Sequence, residues 1–105
     1  MHLLATGAAL ADERALRQGR EVFARYCALC HGIAGDGAGP AARLHKPPPS
    51  DLRSSARSDE YKELIIKVGG EAMGRSGGMP PWRQELSEQD IRQVVAYLRE
   101  LKGRP

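Results

Sequence analysis

Aromatic side chains are scarce in this chain of 105 residues: they make up 5% of it, with one Phe, one Trp and three Tyr. A chain this short also buries a smaller share of its surface on folding than a large domain does. We therefore expect a marginal core unless another apolar body completes it. The 12 glycines and seven prolines lie mostly between residues 32 and 81, which predicts a single domain whose middle consists of loops.

Long apolar runs are missing as well. No stretch reaches the roughly 18 apolar residues that a membrane-spanning helix requires. The apolar segment 1–11 also lacks the basic start of a complete signal peptide, although Ala9-Leu10-Ala11 resembles a cleavage site. We assign residues 1–11 to an export-signal remnant or a linker, and residues 12–105 to the folded domain.

Concentrated charge is the third absence. The net charge is +3, but the positive side chains are spread along the sequence instead of forming a basic run. This distribution argues against a nucleic-acid surface. It leaves two interpretations open: a docking face for an acidic protein partner, or an ordinary solvated surface.

The two cysteines that are present stand in an informative pattern. Cys27 and Cys30 are three residues apart and His31 follows directly, which is the Cys-x-x-Cys-His pattern of c-type haem attachment. On a helical turn, residues i and i+3 share a face. Both thiols can therefore add to the two vinyl groups along one edge of a haem, and the imidazole can bind the iron from one side.

Other uses of two cysteines were weighed against this one. A thioredoxin-like pair requires a βαβ context, and no convincing strand lies near the motif. A zinc site requires four ligands, and His45 would have to be forced in as the fourth. A plain disulfide leaves the glycines and proline downstream unexplained. Covalent haem is the favoured interpretation, and His45 is then predicted to be a surface histidine, exposed or near a haem edge.

A second ligand is predicted in the segment 71–82. Met79 follows Gly77-Gly78 and precedes Pro80-Pro81, so it is expected on an extended loop with no helical stripe to join. A thioether opposite a histidine is a known haem pairing that raises the reduction potential. Met73 also lies among glycines and is the competing candidate, and core packing is the alternative role for either methionine.

The periodicity of apolar residues predicts three helices. The first spans 12–25, the second runs from an N-cap at Ser58 to about Val68, and the third begins at Ser87 with Asp90 completing a capping box and is closed by Gly103. A single turn is expected at 41–44, before the prolines at 47–49. In the first helix, four residues fall at helical spacing, namely Leu16, Gly19, Arg20 and Phe23. The predicted apolar stripes of the other two helices are Tyr61, Leu64, Ile65 and Val68, and Ile91, Val94, Val95, Leu98 and Leu101.

Taken in order, these motifs resemble the small class I c-type cytochromes of bacteria. The resemblance covers residues 12–102. It includes Gly19-x-x-x-Phe23, the segments 27–32 and 35–40, Met79-Pro80-Pro81-Trp82, and the segments 86–91 and 95–98. It implies an all-α cytochrome c fold of three to four main helices, with long loops wrapped around one covalently bound haem. The first and last helices are expected to cross near Gly19, Phe23 and Tyr97.

The resemblance also implies a site. It assigns the thioethers of haem c to Cys27 and Cys30 and the iron ligands to His31 and Met79. It gives the carbonyl of Pro40 the role of accepting the His31 N–H. Arg53 or Trp82 is expected to contact a haem propionate.

The implied function is that of a single-electron carrier without catalytic residues. A relay domain or subunit of a larger oxidoreductase is the alternative, and a haem enzyme or gas sensor with a labile Met79 is less favoured. Redox partners are expected to dock transiently on a monomer, with no nucleic acid involved. Haem is attached after export in this family, so a periplasmic location is implied, with membrane association through a partner left open.

Overall fold

The computed structural model describes residues 6–105, and within this range it is helical and contains no strand. In chain order its α-helices are α1 (Gly7–Val22), α2 (Ala28–His31), α3 (Asp59–Val68) and α4 (Glu88–Leu101). Short 3₁₀ turns lie at Ala42–Leu44 and Glu71–Met73. The all-α fold class predicted from the sequence is confirmed.

Helix α1 begins earlier than its apolar periodicity indicated. It starts at Gly7 instead of residue 12, because the Thr6 hydroxyl accepts the backbone N–H of Ala9 at 3.1 Å and forms an N-cap. The early start has a local reason, since alanine has the highest helix propensity of all residues. The assignment of 1–11 to an export-signal remnant or linker stays a prediction, and residues 1–5 lie outside the described range.

Between α1 and α2 the chain forms a π-helical turn, Phe23–Cys27. The N–H of Ala28 reaches back five residues to the carbonyl of Phe23. The prediction of one regular helix through residue 25 is therefore wrong at its end, since such turns leave no signature in apolar periodicity. Turns of this kind are frequent at functional sites, and this one contains the first cysteine of the motif.

Helices α1 and α4 cross in close contact. Gly19 is buried there, and a Cβ atom at this position would overlap the carbonyl oxygen of Gln93. One turn along, the rings of Phe23 and Tyr97 pack at a tilt of 56° with their centroids 5.5 Å apart. The crossing expected from the resemblance is confirmed at all three predicted residues.

Helix α4 supplies most of the core. Its start is the predicted capping box: the N–H of Asp90 donates to the Ser87 hydroxyl at 3.0 Å, and the N–H of Ser87 donates to the Asp90 carboxylate at 3.0 Å. The helix ends at Leu101, two residues before Gly103. Every member of the predicted apolar face is buried, namely Ile91, Val94, Val95, Leu98 and Leu101.

Helix α3 has the predicted bounds but a different buried face. Ser58 caps it by accepting the N–H of Tyr61 at 3.1 Å, and the helix ends before Gly69. Its fully buried residues are Lys62 and Ile66, however, while Leu64 of the predicted stripe is 46% exposed. Tyr61, Ile65 and Val68 of that stripe are half-buried, so the buried face overlaps the predicted one and is shifted toward Lys62 and Ile66.

Candidate functional site

A cavity of about 560 Å³ lies against the inner side of α3. Cys27, Cys30, His31 and Met79 all line it, although they come from distant parts of the sequence. The volume falls in the range of about 300–1,000 Å³ that is usual for small-molecule and cofactor sites. Much of the remaining wall is apolar and includes Phe23, Ile65, Ile66, Trp82, Val94 and Leu98.

The two cysteines are placed by the junction of the π-helical turn with α2. Both are half-buried thiols. Burial, together with the proximity of Cys30, raises the pKa of the Cys27 thiol to about 12. A thiol that stays protonated is a poor metal ligand and a poor redox nucleophile, because both roles require the thiolate. Within residues 6–105, no group of three or more His, Cys, Asp or Glu side chains is placed to hold a metal ion.

The imidazole of His31 is oriented by a backbone hydrogen bond. Its Nδ1 lies 3.1 Å from the carbonyl oxygen of Ser50. A carbonyl can only accept, so Nδ1 carries the proton and donates, and Nε2 is left with its lone pair. Burial lowers the pKa of His31, an effect that the Ser50 hydrogen bond partly opposes. The neutral ring is the form that binds a metal.

The acceptor for His31 differs from the expected one. Pro40 was predicted to supply this carbonyl, but Pro40 is exposed and does not line the cavity. Ser50 fills the role instead, because it directly follows the prolines 47–49, which line the cavity with it. A backbone carbonyl was the predicted kind of acceptor, and in this structure Ser50 supplies it.

The glycine-rich loop after α2 acts through its N–H groups. Gly37 donates to the carbonyl of His31 at 2.7 Å, and Gly39 donates to that of Cys30 at 3.0 Å. These bonds satisfy carbonyls that the end of a helix leaves unpaired. A Cβ atom at Gly39 would overlap the carbonyl oxygens of Ala28 and Leu29. The loop therefore clamps the four-residue helix that carries Cys30 and His31.

The structure separates the two candidate methionines. Met79 lines the cavity, and its carbonyl accepts the N–H of Gly70 at 2.9 Å, which ties its loop to the end of α3. Met73 lies in the 3₁₀ turn Glu71–Met73 and does not line the cavity. The position of Met79 favours it over Met73 as the partner of His31.

The two residues that were predicted to contact a propionate lie in different places, and only one of them lines the cavity. Trp82 lines the cavity and stacks edge-on against Tyr26, with ring centroids 5.4 Å apart. Arg53 does not line it, because its guanidinium is held by the carboxylate of Asp51 through two hydrogen bonds of 2.8 and 3.0 Å. Of the pair, Trp82 alone faces the cavity.

His45 lies on the cavity wall, as the alternative of a position near a haem edge predicted. It is half-buried and lines the cavity, with its Nε2 atom 3.6 Å from the Sγ atom of Cys30. Two other wall residues, Ser50 and Lys62, were not singled out by the sequence reasoning. The position of Lys62 four residues before Ile66 was the available signal, since the two share a helical face.

Comparison with known proteins shows which family the chain resembles in sequence. Residues 14–98 match the family described as cytochrome c oxidase, cbb3-type, subunit III. The chain is 32% identical to chloroplastic cytochrome c6 of Chlamydomonas reinhardtii, over 91% of this chain and 61% of that protein. It is also 32% identical to the cbb3-type cytochrome c oxidase subunit FixP of Azorhizobium caulinodans, over 93% of this chain and 31% of that protein.

Two solved structures share the fold. One belongs to a reducing HAO-like protein complex of Kuenenia stuttgartiensis, with a TM-score of 0.70 at 24% identity over 97% of this chain and 47% of that one. The other is cytochrome CL of Methylophaga aminisulfidivorans, with a TM-score of 0.64 at 19% identity over 95% of this chain and 69% of that one.

The helical fold and the Cys-x-x-Cys-His motif on its cavity define a class I c-type cytochrome. The chain belongs to the family described as cytochrome c oxidase, cbb3-type, subunit III. Its cofactor is covalently bound haem c, and Cys27 and Cys30 of the motif fit the attachment of that group. The chain spans 31% of FixP and 61% of the algal cytochrome c6. Among residues 6–105, no helix combines the length and apolarity needed to cross a membrane.

Proposed function

We propose that the chain is a single-electron carrier in which His31 and Met79 bind the haem iron from opposite sides. The observation that carries this proposal is that one cavity is lined by Cys27, Cys30, His31 and Met79. When bound there, haem c supplies a one-electron Fe(III)/Fe(II) couple. No residue is assigned a catalytic role, because His31 and Met79 would both serve to hold the haem iron.

The surrounding residues prepare the site for that couple. Ser50 fixes the ring of His31 and keeps its Nε2 available, as the partners of metal-bound histidines usually do. Met79 offers a neutral, soft thioether, which favours the less charged Fe(II) state and raises the potential. The apolar wall, including Val94 and Leu98, excludes water and strengthens electrostatic effects inside the cavity.

We propose that electrons enter and leave during short-lived docking with redox proteins, through small interfaces, and that the chain works as a monomer. Exposed apolar side chains near the attachment turn support such docking: Leu29 is 63% exposed and Ile33 is 70% exposed. No nucleic acid is involved. A periplasmic location follows from haem attachment after export, and a partner can hold the chain at a membrane.

A second candidate function is that of an electron-relay domain or subunit within a larger oxidoreductase. It is supported by relatives that are named as oxidase subunits and are much longer than this chain. The chain spans 31% of FixP and 28% of the CcoP subunit of Rubrivivax gelatinosus. The genes that neighbour the coding sequence distinguish the two, because a relay subunit is expected beside genes for its oxidoreductase.

The sixth ligand is tested by replacing each methionine in turn. In the oxidised wild type we expect the weak near-infrared band that reports methionine on ferric haem. Met79→Ala should abolish this band, lower the reduction potential and open the iron to carbon monoxide. The expected loss of potential is substantial, since axial ligation tunes haem potentials over a range of about 0.8 V.

Met73→Ala is the matched control, because Met73 belongs to the same segment but lies outside the cavity. It should leave the band, the potential and the carbon monoxide response unchanged. Loss of the band in this variant alone would make Met73 the ligand and leave the carrier role intact. Ready carbon monoxide binding by the wild type would favour a gas sensor or a haem enzyme with a labile Met79.

A further inference from the structure

Lys62 is an unusual component of the cavity wall. Its side chain is 6% exposed, and it is the one buried charged residue among residues 6–105. It lies in α3 on the same inward face as Ile66 and lines the cavity. Lysines are almost never buried without a partner, because removing an ammonium group from water is costly.

The protein itself offers this ammonium no partner. Within residues 6–105, Lys62 takes part in no ion pair and no side-chain hydrogen bond. The carboxylate that acts on its charge is that of Asp59, one turn earlier, and Arg99 engages that group at 3.2 Å. Lys102, directly after α4, adds a repulsive positive charge. Burial, followed by the charge of Lys102, lowers the pKa of Lys62, and Asp59 opposes this shift.

A second cation lies at the same end of α3. The guanidinium of Arg57 stacks 4.6 Å above the ring of Tyr61, and both residues line the cavity beside Lys62. The carboxylate on this wall, Asp51, is already paired with Arg53. The N-terminal end of α3 therefore presents positive charge to the cavity that no acidic side chain neutralises within the described residues.

Haem c is the group that brings negative charge into this cavity, because it carries two propionates. We propose that Lys62 binds a haem propionate inside the cavity, with Arg57 beside it, and that this ion pair positions the haem and raises its potential. This inference rests on the proposed function. Of the charged candidates, Arg53 is paired with Asp51 and lies outside the cavity lining, whereas Lys62 lines the cavity and is unpaired among residues 6–105.

An ion pair explains why a charged residue is retained here. A lysine whose charge merely extends to solvent would be replaceable by an apolar side chain of similar length at no cost. A lysine paired with a propionate would not be, because its removal leaves a buried carboxylate without compensation. The two possibilities therefore differ for the same substitution: an unpaired lysine predicts no loss of stability, and a paired lysine predicts a loss.

The experiment compares holoprotein variants with Lys62 replaced by Met, which keeps the length and removes the charge. We expect Lys62→Met to lower the reduction potential, because the carboxylate that remains favours the more positive Fe(III). It should also reduce the folding equilibrium constant in denaturant titration on the order of tenfold. The propionate pKa should rise, so the acid limb of the potential-against-pH curve should move toward neutral pH.

Two variants serve as controls. Lys102→Met makes the same charge change on an exposed residue near Lys62 and should leave the potential almost unchanged, because solvent screens it. Lys62→Arg keeps the charge and should preserve most of the wild-type potential. Should Lys62→Met fail to accumulate as holoprotein, Lys62→Gln is measured in the same way, since it removes the charge and keeps a polar end.

The inference is overturned if Lys62→Met matches Lys102→Met in potential, or if it makes the holoprotein more stable. Either result would show an unpaired buried lysine. A failure of the proposed function would look different, since the wild type itself would then lack a covalent haem spectrum or the methionine band.

Discussion

The crossing of α1 with α4 and the cavity beneath α3 are built from different kinds of contact. At the crossing, the backbone of Gly19 lies directly against the backbone of Gln93, and the aromatic rings of Phe23 and Tyr97 pack against each other. Around the cavity, the wall consists largely of loop segments that enclose about 560 Å³. Groups that line a void lose the contacts that a packed core provides. The chain thus completes one region by itself and needs its haem to complete the other.

Helix α4 joins the two regions. Its side chains at Val94 and Leu98 belong to the buried core and also line the cavity. Leu101 is equally buried in the core but does not line the cavity. Substitutions in this one helix can therefore affect both the core and the cavity, at Val94 or Leu98, or the core alone, at Leu101.

The largest effect is expected when the cavity loses its haem. Replacing Cys27 and Cys30 by Ala should abolish covalent attachment and remove most of the helical signal in far-UV circular dichroism, because the scarce aromatics and the loop-rich middle leave too little core. Mass spectrometry after acid–acetone extraction should give the bare polypeptide for the variant and polypeptide plus one haem for the wild type. A variant that still melts cooperatively would show that the crossing is stable without the haem.

The next largest effects are expected for two single substitutions in α4, which distinguish the contribution of the core from that of the cavity. Leu98→Ala and Leu101→Ala each remove a buried leucine, and each should lower the free energy of unfolding of the holoprotein by about 2–5 kcal/mol. Leu98→Ala should also shift the reduction potential, because it opens the cavity wall, whereas Leu101→Ala should not. Denaturant titration and redox titration of both variants measure this. Equal shifts in potential would mean that the two regions are not independent.

The smallest effect is expected at the crossing. Gly19→Ala places a methyl group where the carbonyl oxygen of Gln93 lies, so the helices must move apart. Overpacking of this kind costs roughly 1–3 kcal/mol, and the cost should appear in denaturant titration with the potential unchanged. Gly7→Ala is the control, because a Cβ atom at Gly7 meets nothing within 4 Å. A shift in potential for Gly19→Ala would show that the crossing sets the geometry of the cavity.

Local patterns predicted the helices better than they predicted the cavity wall. The caps at Ser58 and Ser87 and the buried face of α4 were predictable, because capping and helical periodicity depend on neighbours in sequence. The acceptor for His31 was not, since Ser50 reaches it across 19 residues. The burial of Lys62 was missed because only apolar residues were assigned to the buried face of α3, and the side chain of a lysine gives no such signal.

The π-helical turn Phe23–Cys27 has a consequence for how the attachment motif is aimed. Its hydrogen bond spans five residues where an α-helix spans four, so the turn contains one residue more than a regular helix would hold over the same length. Each residue of an α-helix advances the chain by about 100° around the axis. Because the turn holds its extra residue as a bulge, the helical segment after it avoids that rotation. Deleting Ala24 should therefore leave a regular helix of about the same length, with Cys27, Cys30 and His31 still on the cavity side.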